Sequence, residues 1–204
     1  MKILVLHLSL LFLSFSINAK QVFLGPSNNS QEEIQEALID LEPGDILTLK
    51  PGEYFFEDGL SLDIDDVIFE GSGIDETILN FENQMSGAQG LLVTSNGVTI
   101  RDFAVLDAKG DAIKVIGADG IKMIRLRTEW TGGPKETNGA YGFYPVESKD
   151  VLIDGCVAIG ASDAGIYVGQ SQNIIVKNSI AQYNVAGIEI ENSFYADVFD
   201  NLAS

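Results

Sequence analysis

The sequence predicts an all-β solenoid, a parallel β-helix with a short N-terminal capping α-helix. Three observations predict it. Residues 164–178, AGIYVGQSQNIIVKN, and residues 186–201, AGIEIENSFYADVFDN, are two copies of one unit: a short apolar strand, a polar turn, a second apolar strand and an Asn. A unit this short cannot bury its own apolar face and has to stack on copies of itself. Related units recur upstream at intervals near 22 residues, and the one helical pattern in the chain lies ahead of all of them.

The first residues stand apart from that pattern. Met1-Lys2 is a short basic start, residues 3–17 are apolar, and Asn18-Ala19 offers a small residue for cleavage. Residues 1–19 therefore read as a secretory signal peptide. The apolar run is shorter than the roughly 20 residues that a spanning helix needs. The mature chain is expected to be secreted or periplasmic, with no membrane insertion after cleavage.

Of the 12 basic residues only Lys2 lies in this leader, so 11 remain against 30 acidic ones and the formal charge becomes −19. A chain so acidic is a poor partner for nucleic acid or an anionic membrane surface. The single Cys156 has no internal disulfide partner, and its place beside Val157 suggests a buried apolar thiol.

Residues 20–44 form the expected cap. Ser30-Gln31-Glu32-Glu33 has the form of a capping box, in which Ser30 accepts the N–H of Glu33 and Glu33 reaches back. Ile34, Leu38 and Leu41 then make one apolar helical stripe. Glu42-Pro43-Gly44 ends it, 45–49 follows as a strand, and 50–54 reads as a turn.

Residues 45–204 are the expected coils. Six rows open on a small residue at Gly59, Gly90, Ala112, Gly142, Gly165 and Gly187, spaced 31, 22, 30, 23 and 22 residues apart. A second strand follows each row about eight residues later, and Phe103/Val105 and Val157/Ile159 suggest a third. Such short connections cannot join parallel neighbours within one flat sheet. They can if each strand pairs with its equivalent one coil later. The long spacings then mark loops inserted within 71–89 and 127–141. Asn173, Asn178, Asn184, Asn192 and Asn201, with Gly97, Gly120 and Gly155, suit left-handed corners. The chain stops inside a coil, so a C-terminal continuation or a partner is expected to cover the open end.

The stretch IQEALIDLEPGDILTLKPGEYFFEDGLSL, residues 34–62, resembles the cap and first coil of right-handed parallel β-helix proteins of the pectin-lyase-like superfamily. Residues 138–201, with GIYVGQSQNIIVKN and AGIEIENS, resemble the bacterial parallel β-helix repeat proteins. The resemblance implies a right-handed solenoid and an extracellular polysaccharide as partner. It selects no activity, because that superfamily hosts lyases, hydrolases, epimerases and binding proteins.

The only His, His7, lies in the leader. A mature chain without His disfavours His-dependent acid–base catalysis and His-bound zinc or copper. It also lacks the Asp-Pro-His-Asp run and the His-Gly motif that the resemblance would bring from epimerases and polygalacturonases. The remaining candidates lie on an exposed column. The third residue of each row should point outward, which selects Ser61, Leu92, Lys114, Tyr144, Tyr167 and Glu189. Glu191 continues outward, and the loop inserted before Tyr144 carries the only Trp, Trp130. Lys114, Trp130, Tyr144, Tyr167, Glu189 and Glu191 are therefore the expected ligand-binding residues, an aromatic shelf for a sugar ring with charges beside it.

The function expected is binding of an extracellular polysaccharide, or a non-catalytic structural module. The alternative is a carbohydrate-active enzyme of polyuronate lyase-like type, with Lys114 or a Tyr as base. No cofactor is required, although calcium fits that alternative by neutralising a substrate carboxylate. Hydrolysis would instead need a pair such as Glu189 and Asp163 at roughly 5–10 Å. Asp63-Ile64-Asp65-Asp66 lacks the Gly and distal Glu of an EF-hand calcium loop.

Overall fold

The computed structural model of the chain describes residues 19–204. The leader reading falls on residues outside these, Ala19 excepted. Three sheets run the length of a solenoid, and every strand pairing in them is parallel. The eight-stranded sheet runs from Gln21–Leu24 and Ile46–Leu49 to Phe194–Phe199. The six-stranded sheet runs from Leu60–Leu62 to Ala186–Glu191, and the seven-stranded sheet from Gly52–Phe55 to Leu202–Ala203. The chain visits the three in turn, so each coil contributes one strand to each. About eight turns result.

Parity along the strands builds the core. Leu47, Phe69, Ile100, Met123, Ile153 and Val176 stand in one register column of the eight-stranded sheet, and all are buried. Aromatic side chains stack along the axis in the first coils, Phe56 on Phe81 with centroids 4.8 Å apart and Phe69 against Phe103 at 5.0 Å. Cys156 is fully buried, and burial pushes its thiol up to about 12. The third strand expected from Val157/Ile159 forms as Val157–Ile159, with both of these residues part-exposed and Cys156 and Ala158 facing inward.

The helix Ser30–Ile39 closes one end, with Ile34 and Leu38 buried against the first coil. The capping box does not form. Asn29 holds the N-cap position, and the Glu33 N–H donates to the Asn29 carbonyl at 3.0 Å. Ser30 instead trades two hydrogen bonds with the backbone of Ser27, whose hydroxyl donates to Glu33. Starting the helix one residue earlier than the box requires puts the Ser30 side chain on the buried face.

Two glutamines finish the cap. Gln35 accepts from the Ser61 N–H at 2.9 Å and donates to the Ser61 carbonyl at 3.0 Å, so its amide substitutes for the missing neighbour strand. Gln31 accepts from the N–H groups of Glu57 and Asp58. An exposed strand edge is thereby satisfied. The cap also contains a strand that was not expected, Gln21–Leu24, which starts the eight-stranded sheet. Gly52–Phe55 likewise is a strand rather than part of a turn, because it pairs with Thr77–Asn80.

The corners carry left-handed residues in columns. Asp150, Asn173 and Tyr195 occupy one corner, and Glu147, Gln170 and Asn192 another, all at positive φ. Asn178, Gly97, Gly120 and Gly155 are also left-handed, as expected. Asn184 and Asn201 serve differently: each accepts a backbone N–H from the coil before and donates to a carbonyl there. A serine ladder, unforeseen in the sequence, also accepts N–H groups of the coil before, while each of its hydroxyls donates to a carbonyl two residues back in its own coil. Ser148 N–H donates to Ser171 Oγ at 3.0 Å, and Ser171 N–H to Ser193 Oγ at 3.0 Å.

Candidate functional site

The outward column forms as the row alignment requires. Lys114 stands opposite Leu92 on one side and Tyr144 on the other, and Tyr167 stands opposite Glu189. Phe143↔Ile166 and Val146↔Gly169 place Tyr144 and Tyr167 as stacked neighbours. Each is part-buried on the outer face of the six-stranded sheet.

A third ring joins them. Tyr141, at the end of the inserted loop, packs on Tyr144 with centroids 4.5 Å apart and on Tyr167 at 4.7 Å, while Tyr144 and Tyr167 meet edge to face at 5.2 Å. Such geometry lets the positive edge of one ring meet the negative face of the next. Tyr141 was not among the expected residues. Its signal was its place in Gly139-Ala140-Tyr141-Gly142, where the loop rejoins the row between small residues.

Charges flank the rings. The Lys114 Nζ sits 4.5 Å from the Tyr144 centroid and 3.8 Å from a carboxylate oxygen of Asp111. Burial raises the Asp111 carboxyl above its ordinary range, and Lys114 opposes that shift. The Tyr167 hydroxyl donates to Glu191 at 2.5 Å. Glu191 and then burial push the Tyr167 hydroxyl up. Burial, followed by Asp163, pushes Tyr141 up to about 12, and burial with Asp111 and Glu147 raises Tyr144. Gly169 makes room for this arrangement. A Cβ there would lie 2.6 Å from Tyr167 Cε1, so only glycine lets the ring lean across toward Glu191.

Trp130 is not on the shelf. It is only 5% exposed, belongs to the core, and donates from Nε1 to the Ala108 carbonyl at 2.7 Å. Residues 127–129, taken as the start of the inserted loop, form a strand of the seven-stranded sheet, so the loop leaves one strand later and its first residue is held inward. Thr131 is tied to Asp107 through its N–H and hydroxyl, and Asn138 to Gly133 and Gly160. The loop tip walls a separate groove with Ser162, Tyr183 and Asn184, and no shelf residue lines it.

Among the described residues, no group of three or more His, Cys, Asp or Glu side chains converges to hold a metal ion. At the 63–66 corner Asp65 accepts from the N–H and the side-chain amide of Asn96. No described helix is long and apolar enough to cross a membrane.

A three-sheet parallel coil with an aromatic shelf on one outer face defines a right-handed β-solenoid of pectin-lyase-like fold. Residues 64–204 match the family model described as right handed beta helix region, and the chain belongs to that family. No curated protein sequence matches it. Among solved structures, the catalytic domain of GH87 alpha-1,3-glucanase in complex with nigerose is similar with a TM-score of 0.68 at 15% identity, over 92% of this chain and 38% of that one. The alginate lyase from Paenibacillus sp. str. FPU-7 is similar with a TM-score of 0.54 at 13% identity, over 90% of this chain and 76% of that one. The A-module of the mannuronan C-5 epimerase AlgE6 from Azotobacter vinelandii is similar with a TM-score of 0.60 at 18% identity, over 88% and 54%. At these identities the likeness is one of fold. This chain spans well under half the length of the glucanase domain.

Proposed function

We propose that this chain is an exported, non-catalytic binder of an extracellular polysaccharide, which it holds on the shelf of Tyr141, Tyr144 and Tyr167. The contact of these three rings on an outer sheet face, with carboxylates and one ammonium at their rim, carries the reading. Tyrosine offers a flat apolar face and a polar tip, which suits a sugar ring with its axial C–H groups on one side and hydroxyls at its edge. Similarity of fold to a glucanase and an alginate lyase supports it.

The lyase-like alternative needs a group poised to take a proton near neutral pH. The tyrosine hydroxyls are shifted upward, away from the phenolate a base would require. Lys114 is held between Asp111 and the face of Tyr144. Binding without turnover is the function this arrangement favours.

A panel of alginate, pectate, neutral and amino-sugar glycans tests it, with binding and unsaturated-product absorbance followed together, with and without calcium. The expected result is binding that Tyr144→Ala and Tyr167→Ala remove, with no product absorbance. Turnover would establish the enzyme instead, and failure to bind any glycan would overturn the sugar reading altogether.

A further inference from the structure

The shelf is one-sided in charge. Asp111, Glu147, Asp163, Glu189 and Glu191 stand on or beside it, against a single ammonium, that of Lys114. Among the described residues, Glu147, Asp163, Glu189 and Glu191 take part in no ion pair. The cation that is present is placed informatively: the Lys114 ammonium lies over the Tyr144 face and within ion-pair reach of Asp111. Ring face and carboxylate together therefore already accommodate one ammonium.

Resting on the reading of this shelf as a polysaccharide site, we propose that it selects a glycan bearing free amino groups, a hexosamine polymer, over a polyuronate. A sugar stacked on Tyr141 and Tyr167 would place its substituents among Asp163, Glu189 and Glu191. An ammonium there gains from the π faces and from carboxylates that no protein cation neutralises. A uronate carboxylate would meet like charge in the same places and would have only Lys114, already engaged, as a partner. Burial is the first cause of the raised Tyr141 and Tyr144 hydroxyls, and Asp163 at Tyr141, Asp111 and Glu147 at Tyr144, and Glu191 at Tyr167 push in the same direction.

The test compares three oligomers of equal length on the full mature chain: glucosamine, N-acetylglucosamine and a uronate, below the pKa of the sugar amine. Glucosamine oligomers are expected to bind about tenfold tighter than their N-acetylated counterparts, the scale of one well-placed cation–π and carboxylate contact. The uronate is expected not to bind. In the double variant Asp163→Asn/Glu191→Gln the free-amine and acetylated oligomers should bind equally, and a preference for the free amine that survives there would overturn the proposal. Equal binding of the free and acetylated oligomers, or tighter binding of the uronate, would overturn the proposal and leave glycan binding standing. Retention of glucosamine binding by Tyr144→Ala/Tyr167→Ala, which keeps the net charge, would also overturn it, by showing diffuse attraction to an acidic chain. If no oligomer and no larger glycan binds, the sugar reading itself falls.

Discussion

The Tyr167 hydroxyl donates to the Glu191 carboxylate at 2.5 Å, one coil away along the solenoid axis. Glu191 pairs in register with Gly169, not with Tyr167, so the ring must lie along its own strand to reach it. This bond fixes the outermost ring of the shelf. In Glu191→Gln the charged acceptor is replaced by a weaker neutral one, and the hydrogen bond to Glu191 is the largest cause of the raised phenol, ahead of burial and of the Glu191 charge. The Tyr167 ionisation is expected to move down in pH, seen as an earlier step in a spectrophotometric tyrosine titration. An unchanged titration would show that the bond is absent in solution.

Gly169→Ala tests the same geometry without touching a charge. The new Cβ would stand 2.6 Å from Tyr167 Cε1 and 3.0 Å from its hydroxyl, and these are the far end of a side chain that can swing away. Stability is expected to change by no more than about 1 kcal/mol. Glycan affinity should fall nearly as far as in Tyr167→Ala, as read by titration calorimetry beside a thermal melt.

Trp130→Phe separates the two roles open to the only Trp. The substitution removes the Nε1–H donor and leaves the Ala108 carbonyl buried without its partner. The expected cost is about 1–3 kcal/mol in urea unfolding. Affinity for glycan should stay as it was. Lost affinity at unchanged stability would restore Trp130 to the shelf.

Ser171→Ala breaks the ladder in the middle. Its hydroxyl accepts from Ser148 N–H and donates to the Gly169 carbonyl at 2.7 Å. Without it a buried N–H is unsatisfied, at a cost of about 1–3 kcal/mol. Ser193→Ala, on a hydroxyl of the more exposed last coil, should cost less, and the two midpoints compared in urea decide the point.

Stability is expected to fall in alkali. Tyr54, buried with its hydroxyl donating to the Lys50 carbonyl at 2.8 Å, is pushed up to about 12, as is Tyr141, and Tyr167 is raised as well. An unfolded tyrosine ionises near about 10, so the unfolded chain releases these protons first. The contribution is fully present below that pH and is lost as pH climbs through the folded values. Urea midpoints should hold level up to about pH 9 and decline above about 10. A level profile throughout would contradict the raised values.

The coil was legible because its cause is local and repeated. An interval near 22 and alternation along each row together dictate which residues face inward, so Ile166, Val168, Ile174 and Val176 could be placed as core and all are buried. The outward letters Lys114, Tyr144, Tyr167 and Glu189 follow from the same parity. The strands Gln21–Leu24 and Gly52–Phe55 escaped it, since each is recognisable only by its partner strand. The serine ladder escaped too, because a serine at a turn is common and becomes structural only when the next coil supplies an N–H.

Period and parity thus settle the solenoid and the two stacked tyrosines from the sequence alone. The chain's path between rows is another matter. Whether Trp130 hangs over the shelf or sinks into the core depends on the Ala108 carbonyl, 22 residues away. Whether a third ring completes the shelf depends on where the loop brings Tyr141 back against Tyr144 and Tyr167. Contacts of that kind are made between coils, where neighbours in space are strangers in sequence, and no spacing rule reaches them.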